Sequence, residues 1–242
     1  MLTGMAQGAR VHFDDLLFLN AAAEASLHCT AVAAAGSESA GGTPVLAMNA
    51  DEAKGVEHFE VVLDVRPEVG YRYQVCAMKG VLYFNFGMNE TGLAMAGTFL
   101  FMNSEEAAKA RVPMLVYFSI LNRCATVAEA VEVIRSLPKA DVGLVLYLAD
   151  SERFLRVEQT AMDREIEIVE DGLRWNANFP NSQTMAPEGM LEEMTDVNSL
   201  FARNRIERLQ HFSEEFRGAF DVAAMHTSLS DHGVEGERTH MR

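Results

Sequence analysis

Cysteine is scarce: three thiols in 242 residues, at positions 29, 76 and 124. An odd, widely spaced set is no disulfide framework, and no C-x-x-C pair or Cys/His cluster is present to bind zinc. No motif implies an organic cofactor either. Free thiols suit a reducing compartment, so a cytoplasmic location is expected. Basic residues are also few, 20 Lys and Arg against 35 Asp and Glu, for a formal net charge of −15. Nucleic-acid binders and proteins that bind anionic membranes carry basic patches, so neither partner is expected. The start, M-L-T-G-M-A-Q-G-A-R, lacks the basic segment and long apolar centre of a signal peptide. No apolar run approaches the roughly 20 residues that span a bilayer. Repeats, low-complexity tracts and linkers are missing as well.

What is present is enough apolar content, 49% of residues, for a sizeable core. Residues 13 to 25 space apolar side chains as a helix does, with Asp14 and Asp15 in the first turn where the helix dipole favours acids. From Cys29 the texture turns to short strands: C-T-A-V-A-A-A, then residues 44 to 50 and 58 to 65. Y-R-Y-Q-V-C-A-M and G-V-L-Y-F-N-F follow, joined at Lys79-Gly80 as a hairpin. Residues 112 to 123 look helical, and Thr126 with Glu129 reads as a capping box opening a helix that Pro138 ends. Another hairpin pairs G-L-V-L-Y-L-A-D with F-L-R-V-E-Q-T, a strand lies at G-L-R-W-N, and a charged helix covers about 198 to 212. Strands, helices and strands again imply an α+β fold with helices in layers of their own. Cys76 and Cys124 fall on apolar faces and are expected in the core.

Several segments taken together resemble one family. C-T-A at 29 to 31, N-A-D at 49 to 51, G-M-N-E-T-G-L at 87 to 93, L-A-D at 148 to 150 with V-E-Q-T at 157 to 160, Asn176, and N-R-I-E-R at 204 to 208 stand in that order. The set is similar to the autoproteolytic acyl-coenzyme A:6-aminopenicillanic acid acyltransferase family, and more distantly to bile salt hydrolases and penicillin V acylases, all N-terminal nucleophile hydrolases. The resemblance implies a four-layer αββα sandwich, truncated at both ends relative to the family. It implies self-cleavage between His28 and Cys29, with 1–28 as the propeptide side and 29–242 as the catalytic domain. Cys29 would then be nucleophile and N-terminus at once. A thiol pKa of about 8.5 and an α-amine pKa of about 7.7 to 8.0 let one residue supply both nucleophile and base.

Carried over residue by residue, Asp51 becomes the aspartate that orients or protonates the nucleophile, across a hairpin from it. Asn176 becomes the oxyanion donor. Asn178, two residues on and pointing the same way from a strand, is the alternative at that step. Arg205 pairs with the aspartate or holds a substrate carboxylate, and Arg208, at i+3 on the same helix face, binds substrate beside it. Asn89 and Glu90 read as turn residues. Phe99 stands where bile salt hydrolases place an oxyanion asparagine and Met48 where they have an arginine, while Asn204 replaces a family serine. Phe99 with Leu100 and Phe101 is read either as an acyl-pocket wall or as an ordinary core strand. The implied activity is cleavage of a linear amide through an acyl-enzyme, on a small-molecule acyl-amide, with an acyl-CoA donor in the transfer version. The competing reading is a non-catalytic family member serving as a binding or structural domain. A papain-type protease is disfavoured, since neither its Cys-Gly-x-Cys-Trp surroundings nor a histidine-asparagine pair is evident.

Overall fold

The computed structural model describes residues 2–22, 28–51, 55–81, 84–100, 119–139, 143–160, 163–182, 185 and 197–231. Two leading helices, α1 (Leu2–Ala9) and α2 (Phe13–Ala22), precede β1 (His28–Gly36) and β2 (Gly42–Asp51). A 3-10 turn at Val56–Phe59 leads into β3 (Glu60–Val65), β4 (Tyr73–Met78), β5 (Phe84–Asn89) and β6 (Ala94–Leu100). Helices α3 (Ile120–Arg123) and α4 (Val127–Ser136) follow, then β7 (Gly143–Ala149), β8 (Phe154–Gln159), β9 (Arg164–Val169) and β10 (Gly172–Asn176). Helices α5 (Val197–Glu215) and α6 (Val222–Leu229) come last.

The strands form two antiparallel sheets, a small one ordered β10-β1-β2 and a seven-stranded meander from β3 to β9. Strand periodicity builds the layers. Ala31, Ala33 and Ala35 of β1 meet Val145, Tyr147, Ala149 and Phe154 of the large sheet, forming the middle of the sandwich. Their small side chains allow the close approach. The alternate residues Val32 and Ala34 face outward onto Leu209 of α5 and Met225 of α6. On the far side, Leu144, Leu146, Leu148, Leu155 and Val157 receive Ile120, Val127, Val131 and Ile134 from α3 and α4. The order helices, sheet, sheet, helices is the expected αββα sandwich.

The local readings meet the structure unevenly. Thr126 caps α4 by accepting from the Glu129 N–H, while the Glu129 carboxylate accepts from Ala125 N–H, one residue before the position of an ideal capping box. Asn89 ties the turn together: its amide donates to the Leu121 and Cys124 carbonyls, and its oxygen accepts from Thr91 and Leu93. Gly92 has a positive φ of 90°, whereas Gly87 is required for space, since a Cβ there would lie 2.4 Å from the Val75 side chain. Cys124 is core, but Cys76 is only half-buried. Three elements were not anticipated: α1, β9, whose R-E-I-E-I-V carries three charges, and α6, capped by Asp221 accepting from Ala224 N–H. Of the helix expected at 112–123, residues 112–118 lie outside the described residues, as do 23–25 of the leader helix and Phe101.

Candidate active site

Cys29 lies in the second position of β1, fully buried, with the parity of Ala31 and Ala33, and its side chain joins the apolar cluster that also holds Phe99. The β1–β2 hairpin sets His28 opposite Asp51 and Cys29 opposite Ala50, which brings the aspartate to the bond before the cysteine. Thr30, of opposite parity, looks toward the outer helices. Arg205 of α5 comes to meet it there. Only 1% exposed, Arg205 donates from Nη1 to the Cys29 carbonyl (2.5 Å) and to Thr30 Oγ1 (3.1 Å), and from Nη2 to Asn178 Oδ1 (2.9 Å). Its Nε donates to the Phe201 carbonyl at 3.3 Å, and Asp51 Oδ2 lies 3.9 Å from Nη1. Burial lowers the pKa of this guanidinium, while Asp51 and Cys29 act in the opposite sense.

Asn178 occupies the centre. Its Oδ1 accepts from Cys29 N–H at 2.7 Å and from Arg205, and its Nδ2 donates to the Phe99 carbonyl at 2.7 Å. Two obligate donors on one side and an obligate acceptor on the other fix which way the amide faces. Asn178 has φ of +65°, a left-handed conformation that asparagine tolerates better than most residues. β10 ends at Asn176, so the strand alternation on which 176 and 178 would point the same way breaks between them. Asn176 therefore does different work from its neighbour. Its Oδ1 accepts from Thr98 Oγ1 and from Asn178 N–H, both at 2.9 Å, and its Nδ2 donates to the Phe179 carbonyl. All of that braces the turn that presents Asn178.

Two other expected residues sit elsewhere. Arg208 directs its guanidinium at Asp231, 2.6 Å from Nε to Oδ2, and lies over the Phe212 ring. Sharing a helix face at i+3 was not enough to bring it to the cysteine, because Asp231 is within its reach. The Phe99 side chain has parity opposite to Thr98 and Leu100, which face the small sheet, so its ring joins the cluster that runs beneath α3 and α4 and reaches Cys29 at its edge. What Phe99 contributes to the site is its carbonyl. An apolar groove of about 490 Å³ lies instead between β2 and β4–β6, lined among others by Met48, Cys76, Phe86 and Met88. Among the described residues no group of three or more His, Cys, Asp or Glu is placed to hold a metal ion, and no helix is long and apolar enough to cross a membrane.

Sequence reasoning missed Thr98 and assigned Thr30 only to the start of a strand. The alternation along β1 and β6 was legible, but which element faces each side was not.

Among solved structures, the chain is similar to the Caenorhabditis elegans ortholog of N-acylethanolamine-hydrolyzing acid amidase, with TM-score 0.61 and 14% identity over 87% of this chain and 89% of that one. The conjugated bile acid hydrolase of Clostridium perfringens is similar in two variants, each with TM-score 0.50 and 15% identity. Its cysteine-to-alanine mutant matches over 83% of this chain and 78% of that one, and its arginine-to-leucine variant over 87% and 83%. These likenesses are likenesses of fold, in keeping with the αββα sandwich. No curated protein sequence matches the chain. The family model for acyl-coenzyme A:6-aminopenicillanic acid acyl-transferase matches residues 39–237, beginning ten residues after Cys29. With most of its length inside that match, the chain belongs to the acyl-coenzyme A:6-aminopenicillanic acid acyl-transferase family.

Proposed function

We propose that the protein is a self-processing amidohydrolase or acyltransferase in which Cys29 is the nucleophile. The observation that carries this reading is the convergence of Asn178 and Arg205 on the backbone of one buried cysteine, with Asp51 beside its preceding bond. In the intact chain the Cys29 sulfur attacks the His28 carbonyl carbon. A C–S bond forms, the C–N bond breaks, and the thiol proton passes to the nitrogen. Water then hydrolyses the thioester, leaving residues 1–28 with a new carboxyl group and Cys29 with a free thiol and α-amine.

The amine so released still has Asn178 Oδ1 as its acceptor, and the buried Arg205 cation disfavours a second positive charge on it. A neutral amine next to the sulfur is a competent base. Asp51 supplies or returns the proton of the departing amine. Thiolate attack on a substrate amide gives an acyl thioester and frees the amine, and water or an amine acceptor resolves the thioester. Asn178 Nδ2 takes the role of oxyanion donor once a substrate carbonyl replaces that of Phe99. The 490 Å³ groove is of the size and apolar lining that suit an acyl group. An acyl-CoA serves as donor if the enzyme works by transfer.

Intact mass and N-terminal sequencing of freshly purified protein, beside Cys29→Ala, test the reading. A wild-type chain starting at Cys29 with an uncut control is the expected result. Wild type that stays at full mass on long incubation overturns it and favours the non-catalytic family member.

A further inference from the structure

The segment carrying Asn178 is anchored at both ends, and its second anchor lies outside the site described so far. Upstream, Asn176 and Thr98 hold the turn. Downstream, Glu158 of β8 accepts from Asn181 N–H at 3.1 Å on each oxygen and from Ser182 N–H at 2.7 Å. Glu158 is 1% exposed, and its carboxylate spends its acceptor capacity on a non-repetitive segment rather than on a helix cap. We propose that Glu158 is a positioning residue for the nucleophile, acting through Asn178: by fixing the backbone of Asn181 and Ser182 it holds Asn178 left-handed, with its amide oxygen on Cys29 N–H. This inference rests on Cys29 being the nucleophile.

The surroundings of Glu158 make the anchor sensitive to pH. Arg156 Nη1 lies 3.4 Å from it; Arg156 also faces Glu165 at 3.4 Å and Glu167 at 3.0 Å, and Arg174 pairs with Glu167. Ser182 Oγ donates to Glu165, and the Tyr147 hydroxyl, buried near the cluster, has no hydrogen-bond partner among the described residues. Burial raises the pKa of Glu158, opposed by Arg156 and by the two backbone N–H groups. Once protonated, one carboxyl oxygen becomes an O–H donor facing an N–H donor, only the other oxygen still accepts, and the anchor is weakened. The sign of the global effect is the reverse. A carboxyl whose folded pKa is raised takes up its proton more readily in the folded state, so this group does not destabilise the fold as pH falls through that window. Positioning and stability thus move in opposite directions.

Two measurements decide the matter. The first follows the rate of His28–Cys29 cleavage by mass after refolding from urea, between about pH 4 and about pH 8, in wild type and Glu158→Gln. The variant is expected to cleave up to about 100-fold more slowly at neutral pH, as a displaced reacting geometry does, and to lose the acid limb of the wild-type profile. Equal rates and an unchanged acid limb overturn the proposal. The second records the Asn178 side-chain amide signal by NMR in Cys29→Ala protein. This arm needs neither cleavage nor the Glu158 variant. A signal that shifts with pH below neutrality supports the anchor, and one that stays fixed until the fold is lost overturns it. An uncut wild type would sink the catalytic reading while this second arm still decides the role of Glu158.

Discussion

Two arginines are buried among the described residues, and their surroundings differ in kind. Arg205 is held by carbonyls, a hydroxyl and an amide oxygen, with one carboxylate at 3.9 Å. Arg156 stands among three carboxylates, those of Glu158, Glu165 and Glu167. Neutral acceptors satisfy a guanidinium without cancelling its charge, so the field of Arg205 remains available to Cys29. The charge of Arg156 is absorbed locally, which suits an element that holds a loop in place. Hydrogen-bond satisfaction and charge compensation are separate matters, and this molecule treats them separately at two points of one sandwich.

The comparison is broken most severely at Arg205. Arg205→Met is expected to abolish self-cleavage and to cost about 3–5 kcal/mol, because Asp51 loses its cation and four neutral acceptors lose their donor in a buried setting. Urea unfolding monitored with mass analysis checks both, and a folded variant that still cuts at the wild-type rate contradicts it. Arg156→Met is expected to cost about 3 kcal/mol at neutral pH, since Glu158 then stands buried without its cation. Its folded pKa rises further, so the deficit relative to wild type should shrink as pH falls and Glu158 becomes neutral. A deficit independent of pH would show that lost packing, not charge, was responsible. Arg208→Ala is the small case. Its pair with Asp231 is partly exposed, so a loss of about 0.5–1 kcal/mol is expected with cleavage unchanged, read from thermal melts and mass.

Much of the architecture was legible from periodicity. The small residues of C-T-A-V-A-A-A read as a strand, and the β7–β8 hairpin announced itself as two apolar runs around S-E-R. β9 escaped because its alternate positions are charged, and those charges are the partners of Arg156 and Arg174 inside the sandwich. A rule that sends charge to solvent cannot see carboxylates that are half-buried against a buried arginine. The leading α1 carried two glycines and no strong pattern, so it too went unread.

For the site, Cys29, Asp51 and Arg205 were readable as candidates, and the structure brings the three together. Asn178 against Asn176 was not, because the choice depends on where β10 stops and on the positive φ of Asn178 just beyond it. Arg205 and Arg208 share one helix face in any sequence argument, yet one meets Cys29 and the other Asp231. Sequence by itself determined most of the strands and helices, the small-residue run of β1 and the candidate cysteine, all of which follow from local periodicity and side-chain chemistry. Only the tertiary structure decided which amide touches the cysteine, which arginine is buried beside it and what anchors their loop. Those are contacts between residues separated by up to 176 positions, and they are set by how the layers close on one another.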